Sequence, residues 1–303
     1  MAEAQIGQGQ PQHDAGRDEE IAAATSAGLL MLPSQIQALN IFDCPNLVLC
    51  PGSPDDGKDE GSTGGLQGLS SLCDLWIQQC PRFLSSSSRF HLPSSMESIH
   101  LNGVVSMDTL LPITNLSSLT RLFIHTCGDL GSEGLWHVLA QGQLTKLSVS
   151  STPKFLAGLE QEQEKELASR SSKLEELETD DVAAVLSAPI CTLFASSLIE
   201  LEIFKNKEVE RFTKEQEDAL RLLTSLEKLQ FWSCDKLQCL PSGLHTLPKL
   251  RALCIISCPA IRSQLKADDL PSSLQVLHVQ HSGNDKLRRQ CRKFIGTIPV
   301  VRA

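Results

Sequence analysis

The chain has 303 residues, and a hydrophobic content of 41% is sufficient for a sizeable core. Its net charge of −9 at pH 7 argues against a protein that coats DNA or RNA, because such binding relies on clustered Lys and Arg. The sequence contains no run of 18 apolar residues, so no membrane-spanning helix is predicted.

The N-terminal segment, residues 1–32, is predicted to be disordered or poorly ordered. Residues 1–20 are polar and acidic, and they lack the basic region and apolar core of a secretory signal. The chain has 11 cysteines, an odd number that favours free thiols in a reducing compartment. We therefore expect a cytoplasmic protein.

From residue 36 onward, the sequence repeats with a period near 24 residues. Each repeat has apolar residues at its positions 1, 4 and 6, and many repeats have Cys at position 9. This spacing is typical of the leucine-rich repeat. The repeats begin at these residues: Ile36, Leu72, Met96, Leu119, Leu144, Leu174, Leu198, Leu226, Leu250 and Leu274.

Positions 4 and 6 are two residues apart, so they lie on the same side of an extended strand. Each repeat therefore adds one short strand to a parallel sheet. The predicted fold class is an α/β repeat, a leucine-rich-repeat solenoid (horseshoe) with the parallel β-sheet on its concave face and loops or short helices on its convex face. Residues 33–282 form the solenoid. Residues 283–303 form a C-terminal cap with a short basic helix that turns Leu287 inward.

Position 9 lies where the chain leaves the strand. A small, buried side chain with some hydrogen-bonding capacity suits that position, since it can contact backbone groups of the neighbouring coil. We prefer this structural role to a catalytic or metal-binding one. The residues concerned are Cys44, Cys80, Cys127, Cys234 and Cys258, with Asn206 in an equivalent position.

Three intervals between repeats are long. Residues 50–68 are rich in Gly, Ser, Asp and Pro and are predicted to form a mobile surface loop. The acidic residues 160–166 are interpreted as a solvated helix or loop, with an acidic docking site as the alternative. Thr213 and Gln216 form a capping-box pattern that predicts a helix on the convex side. The apolar residues expected to pack against the sheet are Ala219, Leu220, Leu222 and Leu223.

No catalytic or cofactor site is predicted. Residues 52–58 begin like a phosphate-binding loop, but Asp59 occupies the place where Ser or Thr would hold magnesium. The sequence contains no nucleophile elbow. His278 and His281 are on a predicted strand without other ligands at metal-binding spacing. The chain is therefore expected to be neither an enzyme nor a metal or cofactor protein.

Positions 3, 5 and 7 point away from the core and are candidates for partner binding. Exposed aromatic side chains in a row favour protein binding, although packing among themselves or against another domain is the alternative. An acidic block on two neighbouring strands favours a basic partner surface, unless Lys146 and Lys228 neutralise it internally. The predicted partner-binding residues are Phe42, Trp76, Phe123, Phe204, Trp232, Glu176, Glu178, Asp180, Glu200 and Glu202. His100, His125 and His278 share this face.

The C-terminal third resembles a known family. Residues 212–264, which begin FTKEQEDALRLL, are similar to the C-terminal leucine-rich-repeat region of plant intracellular nucleotide-binding immune receptors, especially the grass coiled-coil type. So are the segments LPSSLQVLHV and NDKLRRQCRKFIGTIPVV. The resemblance covers residues 33–303 and implies a role in pathogen recognition or in holding a receptor inactive.

The resemblance implies a protein partner, which is a pathogen effector, a host guardee or a nucleotide-binding receptor domain. Nucleic acid and membrane are not expected partners. The family's coiled-coil and nucleotide-binding regions have no match here, so its nucleotide switch is not carried over. We expect a truncated receptor, a gene fragment or a stand-alone repeat protein. The alternative function is a substrate-specificity subunit of a ubiquitin ligase, although residues 1–32 contain no convincing adaptor-binding motif.

Overall fold

The computed structural model describes residues 3–7, 33–47, 66, 68–83, 92–153, 155–159, 172–262, 264–280 and 285–303. These residues belong to two compact units. Unit 1 comprises residues 1–143 and 151–155, and unit 2 comprises residues 144–150 and 156–303. Both units are built from consecutive strands that pair in parallel.

In unit 1, each strand pairs with the next along the chain. Helix α1 (Leu135–Ala140) and a 3₁₀ helix (Leu111–Ile113) follow different strands. The strands are β1 (Glu3–Gly7), β2 (Ala38–Phe42), β3 (Asp74–Gln78), β4 (Ser98–Asn102) and β5 (Arg121–His125).

Unit 2 repeats the same parallel order. Its strands are β6 (Lys146–Ser150), β7 (Glu176–Thr179), β8 (Glu200–Phe204), β9 (Lys228–Trp232), β10 (Ala252–Ile256), β11 (Val276–Gln280) and β12 (Val300–Arg302). Its helices are α2 (Val182–Val185), α3 (Ala188–Phe194), α4 (Lys214–Leu220) and α5 (Asp285–Arg292), with 3₁₀ helices at Leu244–Thr246 and Ala267–Asp269.

The core consists of apolar residues stacked in register from strand to strand. Leu229 pairs with Leu201 on one side and Leu253 on the other, and all three are buried. Strands β2 to β11 begin at position 3 of the ten repeats predicted from sequence. The predicted leucine-rich-repeat solenoid fold, with its parallel sheet, is confirmed.

The residue that directly follows a strand adopts the left-handed conformation in most repeats. Its backbone N–H continues the ladder: Gln79 donates to the carbonyl of Asn102 at 2.8 Å, and Lys205 donates to that of Trp232 at 2.7 Å. This bond offsets the steric cost that a side chain incurs at positive φ. The residues are Asp43, Gln79, Gly103, Thr126, Ser151, Lys205, Ser233 and Ser257, with φ between 49° and 70°.

The thiols at position 9 contact carbonyl oxygens of their own repeat and of the preceding one. The Sγ atom of Cys127 lies 3.5 Å from the carbonyl oxygen of Leu101 and 3.3 Å from that of His125. This pattern supports the structural role assigned from sequence. It recurs at Cys80, Cys234 and Cys258.

Helix α4 begins with the predicted capping box. The Thr213 hydroxyl accepts a hydrogen bond from the Gln216 N–H at 3.3 Å, and the Gln216 side chain accepts one from the Thr213 N–H at 3.0 Å. Ala219, Leu220 and Leu223 are buried as expected. Leu222 is 39% exposed, because it lies beyond the end of the helix and turns toward solvent, so that part of the prediction is wrong.

The described ends of the chain add two strands to the predicted set. Residues 3–7 form β1 and pair with β2, whereas sequence analysis expected disorder there. At the other end, α5 buries Leu287 as predicted and leads into β12, which pairs with β11. Residues 8–32, the acidic residues 160–166 and most of the predicted loop 50–68 lie outside the described residues.

Candidate protein-binding face

The described residues contain no candidate metal centre. Within those ranges, no group of three or more His, Cys, Asp or Glu side chains is placed to hold a metal ion. Burial raises the pKa of Cys191 to about 12 and that of Cys291 to about 11, which keeps both thiols protonated at neutral pH. Residues 52–59 and His281 lie outside the described ranges. Among the described residues, no helix has the length and apolar character needed to cross a bilayer.

The side chains at positions 3, 5 and 7 of each repeat lie on the sheet face opposite the buried leucines. We call this the open face. Its side chains align in register across the strands, so a residue at position 5 of one strand stands beside position 5 of the next. The predicted partner-binding residues therefore fall into rows that run across the strands.

In unit 1, four rings form a continuous series that we call the ring row: Phe42, Trp76, His100 and Phe123. Trp76 and His100 are stacked with centroids 4.6 Å apart, and His100 and Phe123 are stacked at 3.9 Å. Phe42 contacts Trp76 at 6.4 Å in a tilted arrangement. Trp76 nevertheless remains 42% exposed. The row is thus fixed by ring contacts while one large aromatic surface stays open to solvent.

His100 is held in its neutral form within the ring row. Burial between the flanking rings and the positive charge of Arg121 lower the pKa of His100 to about 4, although Asp74 opposes this shift. Asp74 and Arg121 flank the row at position 3 and form an ion pair at 3.4 Å. A neutral imidazole stacks on its neighbours without the cost of a buried charge.

The low pKa of His100 predicts that unit 1 loses stability in acid. Because the folded pKa lies below the value of about 6.5 in an unfolded chain, the unfolded state binds more protons between about pH 6.5 and 4. Stability should therefore fall as the pH falls through this window. His100→Phe removes the titration and keeps a stacking ring, so its urea midpoint should depend less on pH than that of the wild type. A folded-state pKa near 6.5, measured by NMR, would contradict the assignment.

The aromatic residues of unit 2 are arranged differently from those of the ring row. Phe204 and Trp232 occupy position 7, at the carboxyl ends of their strands, where they stand side by side in register. Trp232 is 44% exposed, but Phe204 is only 9% exposed. The Lys205 ammonium lies over the Phe204 ring, 5.9 Å from its centroid. The prediction of an exposed ring at Phe204 is therefore wrong, because its neighbours cover it.

The acidic block of unit 2 is partly neutralised by two lysines. The Lys146 ammonium lies 2.9 Å from a Glu176 carboxylate oxygen and 2.6 Å from one of Glu178. On the other side, the Lys228 ammonium lies 2.7 Å from Glu200. All five groups line a shallow depression of about 190 Å³. The internal neutralisation considered in the sequence analysis is thus present.

The remaining two acidic residues differ from this pattern. Glu202 stands beside Glu178 in register, and burial together with the neighbouring carboxylate raises the pKa of Glu202, while Gln230 and the two lysines oppose that shift. Asp180 was expected on the same strand as Glu176, but β7 ends at Thr179 and Asp180 follows it. Four glutamates therefore face two lysines in this depression, and the block keeps a net negative charge.

Two residues of the open face, Cys254 and Arg302, were not among the predicted partner-binding residues. Cys254 stands in register between Gln230 and His278 at position 5, where it was expected to point out of the sheet, yet it is only 8% exposed. Arg302 on β12 extends the same row beside His278. The sequence did not predict a strand at Arg302, because the apolar repeat pattern does not extend to β12.

This chain is similar in fold to solved structures of other proteins. No protein-family model matches the sequence, and no curated protein matches it. Among solved structures, an internalin from Listeria monocytogenes has a TM-score of 0.36 and 16% sequence identity. The match covers 74% of this chain and 65% of the internalin, so the chain spans less than two thirds of that protein's length.

Proposed function

We propose that this chain is a non-catalytic protein-binding module whose partner contacts the ring row of unit 1. The observation that carries the proposal is the exposed face of Trp76 within a series of stacked rings on an open sheet face. Trp and other large aromatic residues dominate the energetics of protein interfaces. Stacking has already fixed these rings, so little conformational entropy is lost when a partner binds.

The resemblance of residues 33–303 to grass immune receptors supports a finer assignment. The module is the recognition or autoinhibition region of such a receptor, it acts in the cytoplasm, and it serves defence. Its partner is a pathogen effector, a host guardee or a nucleotide-binding receptor domain. The acidic block has a secondary part in binding, because Lys146 and Lys228 are paired with three of its carboxylates and offset part of its charge. We therefore expect affinity to depend only weakly on salt.

This proposal predicts that Trp76→Ala weakens partner binding at least about tenfold, as truncation of a central aromatic anchor does. The purified chain is used to capture partners from grass leaf extract, and the affinity for each recovered protein is then measured. Leu111→Ala is the matched control in the same unit. Leu111 is exposed to a similar extent but lies on a 3₁₀ helix outside the strands.

The two variants distinguish the ring row from general surface stickiness. Partner affinity should survive Leu111→Ala and fall in Trp76→Ala, while both variants keep the wild-type circular dichroism spectrum. Equal affinities for wild type and Trp76→Ala would place the contact elsewhere. If Trp232→Ala alone weakened binding, the partner site would lie on unit 2.

A further inference from the structure

Positive charge is concentrated on the exposed side of helix α5. Residues 285–303 contain six of the 27 Lys and Arg residues but only one of the 36 Asp and Glu residues. Leu287 and Cys291 face the core, whereas the cationic side chains are exposed or half-buried. We call these cations the basic face: Lys286, Arg288, Arg289, Arg292 and Lys293.

The basic face is not neutralised from within. Elsewhere in unit 2, charged side chains are paired, as in Lys228 with Glu200 and Arg251 with Glu227. Within the described ranges, no Asp or Glu carboxylate forms a salt bridge with any residue of the basic face. Like charges three or four residues apart on a helix repel one another. The favourable position of cations near a helix C-terminus offsets only part of this.

Two of the arginines are held in place before any partner arrives. The Arg289 Nε atom donates to the carbonyl of Asp285 at 3.2 Å. The Arg292 Nε and Nη2 atoms donate to the oxygen of Ala303 at 3.3 and 3.2 Å. These bonds leave further N–H groups on both side chains. Together with Arg288 and one carboxylate, that of Asp285, they line a depression of about 260 Å³, in which three guanidinium groups outnumber the single acid. Guanidinium groups with a fixed orientation bind carboxylates through paired hydrogen bonds.

We propose that the basic face binds an acidic segment of another protein, a short extended run of Asp and Glu. Helix α5 has 8 residues and is about 12 Å long, which matches roughly four residues of an extended chain. A membrane or a nucleic acid is an extended polyanion that would also meet the rest of the chain, where all but one of the acidic residues lie. The apolar side of α5 is buried, so it has no apolar surface for insertion into a bilayer.

The test uses the full chain and a fluorescently labelled peptide of eight glutamates, with binding followed by fluorescence anisotropy at about 50 mM salt. We expect saturable binding that weakens as salt is added. Arg288→Gln combined with Arg289→Gln should raise the Kd roughly fivefold or more. The matched control, Lys207→Gln combined with Lys236→Gln, removes two exposed charges from the same unit and should change the Kd by less than about twofold.

Three results would overturn this proposal: the absence of saturable binding, an equal loss in both double variants, or tighter binding to anionic lipid vesicles or to a single-stranded oligonucleotide than to the peptide. The proposal is independent of the ring row, so Trp76→Ala should leave peptide affinity unchanged. Loss of peptide binding and loss of partner capture are therefore separate failures.

Discussion

Leu229→Ala is expected to lower the free energy of unfolding by about 2–5 kcal/mol, the range found for buried leucines. Leu229 is 0% exposed and stands in register between Leu201 and Leu253. Each of these neighbours is held by its own strand and by the next leucine in the stack, so the cavity cannot close easily. Urea unfolding followed by far-UV circular dichroism measures the loss.

The adjacent residue provides the matched control. Gln230 is on the same strand but on the open face, so Gln230→Ala should change the free energy of unfolding by no more than about 0.5 kcal/mol. The comparison tests the strand register directly, because a shift of one residue would exchange the two sides of the strand. Equal urea midpoints for the two variants would be incompatible with the observed burial of Leu229.

The strands were predictable because each repeat carries its own apolar pattern. Leu226, Leu229 and Phe231 set the side of β9 that is buried, and nine other repeats carry the same information. Strands β1 and β12 lack this signal. β12 has three residues, none of them buried, and it forms by pairing with β11 rather than through a leucine pattern. Short end strands therefore escape a method based on periodicity.

Local backbone geometry was less predictable. Among the residues that follow a strand and adopt the left-handed backbone conformation, only Gly103 is a glycine, although glycine is the usual marker of positive φ. The other positions carry Asp, Gln, Thr, Ser or Lys. At most of these corners the backbone N–H donates a ladder hydrogen bond to the next strand, such as that from Ser233 to the carbonyl of Ile256 at 2.9 Å. Tertiary hydrogen bonding thus overrides local preference.

The candidate site was predicted in composition but not in arrangement. Counting from the first apolar residue of each repeat placed Trp76 and Phe123 at position 5 but Phe204 and Trp232 at position 7. The register places these two positions in separate rows, but counting did not predict that Phe42, at position 7, contacts Trp76 at position 5. The extent to which Phe204 is covered depends on neighbouring side chains that a one-dimensional pattern does not contain. Predicting that His100 stacks between two rings likewise requires the relative positions of three strands.

Asn206→Ala is expected to lower the free energy of unfolding by about 2–4 kcal/mol, because it leaves backbone groups of two repeats without partners. The Asn206 side chain is buried. Its Nδ2 donates to the carbonyl of Asp180 at 2.7 Å, and its Oδ1 accepts from the N–H groups of Glu208 and Val209 at 3.1 and 2.8 Å. Asp180 precedes this repeat, so one amide group joins two consecutive coils.

Further variants separate the donor from the acceptor in this site. Asn206→Asp keeps the acceptor for Glu208 and Val209 but cannot donate to Asp180 when ionised, so an intermediate loss is expected. Asn102→Ala is the control for residue type. Asn102 ends β4 on the open face, where its Oδ1 accepts from the Thr126 hydroxyl at 2.8 Å, and solvent can replace that bond at a cost of about 0.5 kcal/mol or less. If Asn206→Ala were no more destabilising than Asn102→Ala in urea unfolding, the buried amide would not be what joins the two coils.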